Sequence, residues 1–331
     1  MRAWIIAVAA MLAAPAAAND SVAETRAGGL VLVKTVAIDM VSEDLFVSAD
    51  QIRVRYVFRN RTPRPVRATI AFPMPDNDLS QPSESDVAFP TDFRTLIDGQ
   101  PVEMRVERKA VQGGIDRSAL LTSLKVPVSN DEGEQLGGID PELDALTPAQ
   151  QDRLVRLGLA RIVAGGGGNR GGRRLTATWT VKETWYWEQV FPAGRDLVVE
   201  HEYKPGTGES IGTALTIADF RTSPEGRRMI ADYCIDSAFL AGLDRMAGKS
   251  GDNATIGERR IGYVLRTGAN WAAPIRDFRL VVDKGAAENL ISFCGTGVRK
   301  TGPTRFEMRR SNWRPDRDLE LLILFPRRPE S

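Results

Sequence analysis

Residues 261–284 read IGYVLRTGANWAAPIRDFRLVVDK, and their alternation sets the fold class. Ile261, Tyr263 and Leu265 fall on one side of an extended chain, and Gly262, Val264 and Arg266 on the other. A connection containing Gly268, Asn270 and Pro274 interrupts the pattern, and Phe278, Leu280 and Val282 resume it: strand, turn, strand. The phrase has an earlier echo. Tyr56-Val57-Phe58-Arg59 followed by Pro65-Val66-Arg67 matches Tyr263-Val264-Leu265-Arg266 followed by Pro274-Ile275-Arg276. The pair predicts two hairpins of similar design, one in each half of a mainly β (α+β) protein. Antiparallel sandwich-like units would carry a helical insertion and one packed helix.

At 331 residues the chain can bury a sizeable core. Lys plus Arg is 44 and Asp plus Glu 43, so no charge excess seeks a polyanion, and nucleic acid is not an expected partner. Residues 1–18 have the form of a secretory signal. Arg2 leads an apolar stretch from Trp4 to Leu12, and Ala16-Ala17-Ala18 offers a cleavage site before Asn19. The apolar stretch is too short to stay as an anchor, and no later run is long enough to span a bilayer. The expected mature chain begins at Asn19, lacks a transmembrane segment and resides in the periplasm or is secreted. In that compartment the two cysteines, Cys234 and Cys294, are read first as a disulfide and second as buried thiols. A metal site comes third because no histidine accompanies them. A bridge would close a loop of roughly sixty residues and contribute about 4 kcal/mol by the chain-entropy argument.

The chain divides on paper into 19–112, an N-terminal β-sandwich portion; 113–172, a helical insertion with a Gly-rich linker; and 173–331, a C-terminal β-rich portion. In the first, an extended stretch from Gly29 to Met40 precedes an acidic turn, Ser42-Glu43-Asp44, and Asp98-Gly99 makes a hairpin turn. In the second, helices are expected from Ile115 to Leu124 and after Thr147, with Pro148 at the first position and Gln150 completing a capping box. In the third, the longest alternation of the chain runs from Leu175 to Val190, with Leu197 to Tyr203 as its antiparallel partner. Ser223 and Pro224 open the best helix, read as 224–246.

Several stretches resemble a bacterial exported family known as domain-of-unknown-function family 4424. They are Ala18-Asn19-Asp20-Ser21 with Gly28-Gly29-Leu30, Ser42-Glu43-Asp44-Leu45, and Arg53-Val54-Arg55-Tyr56 leading to Ala71-Phe72-Pro73-Met74-Pro75. Later come Trp185-Tyr186-Trp187-Glu188-Gln189, His201-Glu202-Tyr203, Thr267-Gly268-Ala269-Asn270-Trp271, and Ser292-Phe293-Cys294 with Thr304-Arg305-Phe306-Glu307. The resemblance covers nearly the whole mature chain. It implies export and a β-rich architecture, and it implies no activity, so no catalytic residue is carried over.

Chemistry-bearing residues are few. The single histidine, His201, shares a strand face with Val199 and Tyr203, and is read as structural or surface-lying rather than as a base or ligand. One histidine excludes a multi-His zinc site, and no G-x-S-x-G elbow marks a nucleophile. The acidic turns Ser42-Glu43-Asp44 and Asp76-Asn77-Asp78 offer oxygen ligands without EF-hand spacing and are read as solvated. The glycines between Gly165 and Gly172 lack a P-loop ending and are read as a linker. Aromatic residues are the leading binding candidates. Trp179 and Trp185 are assigned to the core, whereas Trp271, with Asn270, at a turn apex is expected to be exposed, and Trp187 and Tyr186 extend the candidate surface. No catalytic residue, metal or cofactor is assigned. The reading is a non-catalytic exported module that binds an envelope protein or glycan; a carboxylate-dependent hydrolase of an envelope polymer is the alternative.

Overall fold

The computed structural model describes residues 19–26, 29–80, 90–129, 140–163, 174–250 and 256–327. The expected leader at 1–18 and the glycines at 165–172 lie outside them. The protein is mainly β, with antiparallel sheets and a minority of helix. A seven-stranded sheet runs in the order Ile115–Asp116, Arg105–Gln112, Thr180–Phe191, Val66–Pro73, Ser21–Arg26, Gly29–Val33, with Asn77–Asp78 added beside Thr180–Phe191. An eight-stranded sheet runs Arg299–Lys300, Arg305–Trp313, Ile275–Asp283, Ile38–Val47, Ile52–Asn60, Asp196–Lys204, Thr91–Ile97, Gln100–Pro101. These two share one apolar core, in which Ile70, Phe72, Trp187 and Phe191 meet Met40, Leu45, Tyr56, Phe58 and Val199. A four-stranded sheet, Gly208–Ser210, Ile256–Tyr263, Leu319–Pro326, Leu290–Phe293, contributes Ile261, Tyr263, Leu321 and Ile323 to the same core. Its other face carries Ile256, Leu322 and Leu324, which pack with Met229, Phe239 and Leu243 of the helices.

Both expected hairpins are instead arches between sheets. Ile52–Asn60 belongs to the eight-stranded sheet and Val66–Pro73 to the seven-stranded one; Ile256–Tyr263 and Ile275–Asp283 are likewise in different sheets. At the first corner the Asn60 side-chain amide donates to the carbonyls of Arg64 (2.7 Å) and Phe191 (3.1 Å), while Pro63 and Pro65 offer no ladder donor. At the second corner Asp318 accepts from the backbone N–H of Leu265 (3.1 Å) and Arg266 (3.0 Å), ahead of a short 3-10 turn, Arg266–Asn270. Asp196–Lys204 also pairs elsewhere than expected, with Ile52–Asn60 and Thr91–Ile97 rather than with Thr180–Phe191. The turn at Asp98 (φ 47°) and Gly99 (φ 78°) does close a hairpin, since both centres adopt the positive φ of a type I′ turn.

The alternation from Leu175 to Val190 holds in phase but breaks once, at Thr178 and Trp179, between Arg174–Ala177 and Thr180–Phe191. Trp179 is fully buried there and its indole N–H donates to the Val128 carbonyl (2.8 Å). It anchors a second small core with Leu121, Leu143, Leu154 and Leu159 of the helical block. Thr147 and Gln150 form the expected capping box on Pro148–Arg156, whereas the expected helix at 115 shortens to Ser118–Ser123 behind a turn at Gly113 and Gly114. The expected 224–246 helix is two helices, Pro224–Asp232 and Ser237–Ser250. Cys234 takes a left-handed conformation (φ 51°) between them, and the Asp236 carboxylate caps the second by accepting from the Phe239 N–H (2.7 Å). Among the described residues no helix is long and apolar enough to cross a membrane.

Candidate functional site

Cys234 and Cys294 meet at disulfide-compatible geometry, Cα to Cα 5.0 Å, and tie the break between the two helices to the end of Leu290–Phe293. Ser292 reinforces the joint by donating to the Tyr233 carbonyl (2.9 Å). Beside this staple lies a cleft of about 630 Å³. Its apolar lining comes from three directions: Phe306, Met308 and Trp313 from one strand, Ile291 and Phe293 from another, and Phe239 from the second helix. Phe293, Phe306, Trp313, Ile291 and Val298 are each half-buried, so the lining is apolar and reachable from solvent. Phe278 holds Trp313 from behind, ring centroids 4.5 Å apart. Polar groups border the cleft. Asp236 and Asp318 are committed to capping backbone N–H groups, and Arg310 donates to the Thr296 carbonyl (2.5 Å). Arg317 is exposed and approaches the Cys234 sulfur at 3.5 Å. With Asp316, which is exposed, the border carries three carboxylates and two guanidiniums around an apolar lining.

A second constellation is wholly buried. His201 lies between Thr95, whose hydroxyl is 2.8 Å from Nδ1, and Asp20, whose Oδ1 is 3.1 Å from Nε2. Phe72 (4.8 Å), Phe93 (5.4 Å), Trp187 (5.6 Å) and Tyr56 (5.9 Å) surround the imidazole. Burial pushes the Asp20 carboxyl above its ordinary range, against the pull of His201. Next to it Glu43 accepts from the Asn19 side-chain amide (3.1 Å), and burial raises its pKa to about 8, opposed by that bond and helped by Asp20. The phenols of Tyr56 and Tyr263 share a hydrogen bond of 2.8 Å, and burial holds both well above the usual tyrosine value. This cluster can hold protons, and His201, Asp20, Glu43, Tyr56 and Tyr263 are all buried from solvent.

Ser42-Glu43-Asp44 is not the solvated turn that the sequence predicts. The segment is continuous strand, Ile38–Val47, with a register shift between Met40 and Ser42. The extra residue brings both Ile38 and Met40 before it and Glu43, Leu45 and Val47 after it to the core side. The spacing of Glu43 with Leu45 and Val47 was the available signal.

Trp271 is not exposed. It is 2% accessible, its ring packs on Phe58 (4.5 Å), and its indole N–H donates to the Asp20 carbonyl (2.9 Å). Asn270 stands beside it, donating to the Ser21 hydroxyl (3.1 Å). Trp187 is also buried, its N–H on Gln189 (3.2 Å), because its strand face meets the other sheet. Tyr186 points the opposite way and is half-buried under the Arg105 guanidinium, 4.8 Å from its ring centre. The four candidates therefore form no common surface. Trp179 is core, while Trp185 is half-buried and stacks on Phe93 (5.0 Å). The loop at 76–78 is tied by an ion pair of Asp76 with Lys182 (2.5 Å) and by burial of Asn77. Among the described residues no group of three or more His, Cys, Asp or Glu is placed to hold a metal ion.

The sequence profile of the family described as Domain of unknown function (DUF4424) matches residues 18–322. No curated protein matches the chain. Of solved structures, a Legionella pneumophila protein provisionally described as nutrient binding is similar at 15% identity and TM-score 0.46, over 92% of this chain and 72% of that one. An M1 zinc metallopeptidase from Deinococcus radiodurans is similar at 9% identity and TM-score 0.25, over 88% of this chain and 43% of that one.

Proposed function

The chain belongs to the DUF4424 family, and on that premise we propose that it is an exported, non-catalytic binding protein with its ligand site in the cleft beside Cys234 and Cys294. The observation that carries this reading is the half-exposed aromatic lining of that cleft, Phe293, Phe306 and Trp313, in a volume of about 630 Å³. Apolar side chains left open to water in a concave site gain by covering, and a site of this size and make-up is typical of small-molecule pockets. Export is supported by the leader pattern before Asn19 and by the cysteine pair, which an oxidising compartment would keep bonded. The hydrolase reading loses ground on its own terms. It needs two carboxylates free to work in one cleft, and of the three that line this one Asp236 and Asp318 are engaged by backbone N–H groups, which leaves Asp316.

Native mass spectrometry on protein recovered untagged from its own periplasm tests the reading. A small retained mass, absent from a Trp313→Ala, Phe293→Ala variant of normal fold, is the expected result. A retained second chain or a glycan would move the site to an envelope partner. A bare protein whose tryptophan emission ignores an apolar probe such as anilinonaphthalene sulfonate would sink the cleft assignment.

A further inference from the structure

We propose that the buried cluster of Asn19, Asp20 and Glu43 is a seat for the α-ammonium group that leader removal creates on Asn19. This rests on the export reading above and goes beyond it, assigning a ligand chemistry, a primary ammonium, to a site inside the core.

The geometry begins at the turn 267–271. Thr267, Asn270 and Trp271 each hold one of residues 19–21, and Gly268 lies against Asn19. The Thr267 hydroxyl donates to the Asn19 carbonyl (2.7 Å), Asn270 to the Ser21 hydroxyl, and Trp271 to the Asp20 carbonyl. A Cβ on Gly268 would stand 2.9 Å from the side-chain nitrogen of Asn19, so glycine leaves room for that side chain. Asn19, Asp20 and Ser21 are fully buried as a result. Three side chains of one distant turn thus hold residues 19–21 in the core.

Thr267, Asn270 and Trp271 spend their side-chain donors on other atoms of residues 19–21, and three buried oxygens have no donor: Asn19 Oδ1, Asp20 Oδ2 and Glu43 Oε1. Leaving such atoms unpaired costs about 1–3 kcal/mol each. An ammonium group carries three N–H donors and one positive charge. Asn19 already touches Glu43 through its side chain, so the α-nitrogen of the same residue lies within one side chain's reach of that carboxylate. Hydrolysis of the Ala18–Asn19 bond by a signal peptidase consumes one water and leaves a carboxylate on Ala18 and an amine on Asn19, which takes up a proton. That charge offsets Glu43, while His201 attends to Asp20 at 3.1 Å. Burial meanwhile raises Glu43 to about 8, the behaviour of a carboxylate short of a cation. Processing thus supplies the missing counter-ion and completes the core.

The test uses the mature protein from its own host, its mass, and the reactivity of its α-amine towards an α-amine-selective aldehyde. A mass beginning at Asn19 with labelling roughly a hundred-fold slower in the native than in the urea-unfolded protein is expected. Glu43→Gln, similar in size and uncharged, should speed native labelling at least about ten-fold. A variant with one glycine inserted before Asn19 gives a second readout should Glu43→Gln fail to fold. It places the amine beyond the seat and should label as fast as the unfolded chain. A mass beginning at another residue overturns both processing at Ala18 and the seat. A mass beginning at Asn19 with an amine as reactive as in urea overturns the seat and leaves export standing.

Discussion

Glu43 makes the seat measurable through pH. In a form whose Asn19 nitrogen is still in peptide linkage, burial raises the folded carboxyl to about 8, above its ordinary value of 4.5. A carboxyl raised in this way contributes stability that is complete below about 4.5, and the contribution is lost as pH climbs through 8. Asp20 is shifted in the same direction and adds to the slope. The groups facing Glu43 are the Asn19 amide, Asp20, and the phenols of Tyr56 and Tyr263, with His201 behind Asp20. A leader-bearing or N-terminally extended protein should therefore lose stability from pH 5 to 8, by up to roughly 1.4 kcal/mol per pH unit per proton. The mature protein should show a flatter profile, and Glu43→Gln should flatten the extended form to match. Urea midpoints across that range decide it; parallel profiles for the mature and extended forms would count against a cation at Glu43. A second change at this scale, Trp271→Phe, keeps the ring against Phe58 but removes the indole N–H from the Asp20 carbonyl. A loss of about 1–3 kcal/mol in urea unfolding is expected, and an unchanged midpoint would show that this bond contributes little.

At the scale of elements, what could be read from the chain was phase, and what could not was partnership. The alternation of Leu175, Ala177, Trp179 and Val181 placed the buried face correctly because a period of two is local. The corners at Pro65 and Pro274 were misassigned because a proline-rich turn stops a ladder equally well in a hairpin or an arch. Which one forms depends on distant groups, the Phe191 carbonyl for Asn60 and the Asp318 carboxylate for Leu265. Glu43 escaped notice because a bulge shifts phase without any glycine or proline to mark it. Trp271 stands at an apex that the sequence presents as exposed, and it is buried because its turn clamps the distant residues 19–21. The cleft was invisible for the same reason, since Phe293 and Trp313 lie in different sheets and meet only in the folded chain. The Cys234–Cys294 pairing was readable from compartment logic, and it spans a break between helices that the sequence pattern concealed. Replacing both cysteines by serine should lower stability by about 2–4 kcal/mol in urea. The loss should fall on the joint between helices and Leu290–Phe293, so Trp313 emission should change while the Tyr56–Tyr263 region stays native. Identical midpoints with and without reductant would mean the pair contributes no cross-link.

Across the whole molecule the strand order interleaves early and late sequence. Ile275–Asp283 lies parallel to Ile38–Val47 at the centre of the eight-stranded sheet, with partners such as Leu280 with Leu45 and Val282 with Val47. Two consecutive strands can be joined by a tight turn only when antiparallel, so a parallel neighbour must arrive from far along the chain. Here it arrives after more than two hundred residues, and its alternate face joins the same core as Trp187 and Tyr56. The Thr267 to Trp271 clamp on residues 19–21 ties the same two regions together. An N-terminal piece ending near 204 would leave Ile38–Val47 as an open apolar edge, stripped of its partner and of the lid over Asn19 and Asp20. Residues 19–204 expressed alone should fail to give a native, dispersed amide spectrum, and should recover it when 205–331 is supplied as a separate chain. The intact protein should unfold around this shared core in one transition, with far-ultraviolet dichroism and buried-tryptophan emission giving the same midpoint. A fragment 19–204 that folds by itself would show that the first portion carries its own complete core, and that the parallel pairing is an addition to the fold rather than its centre.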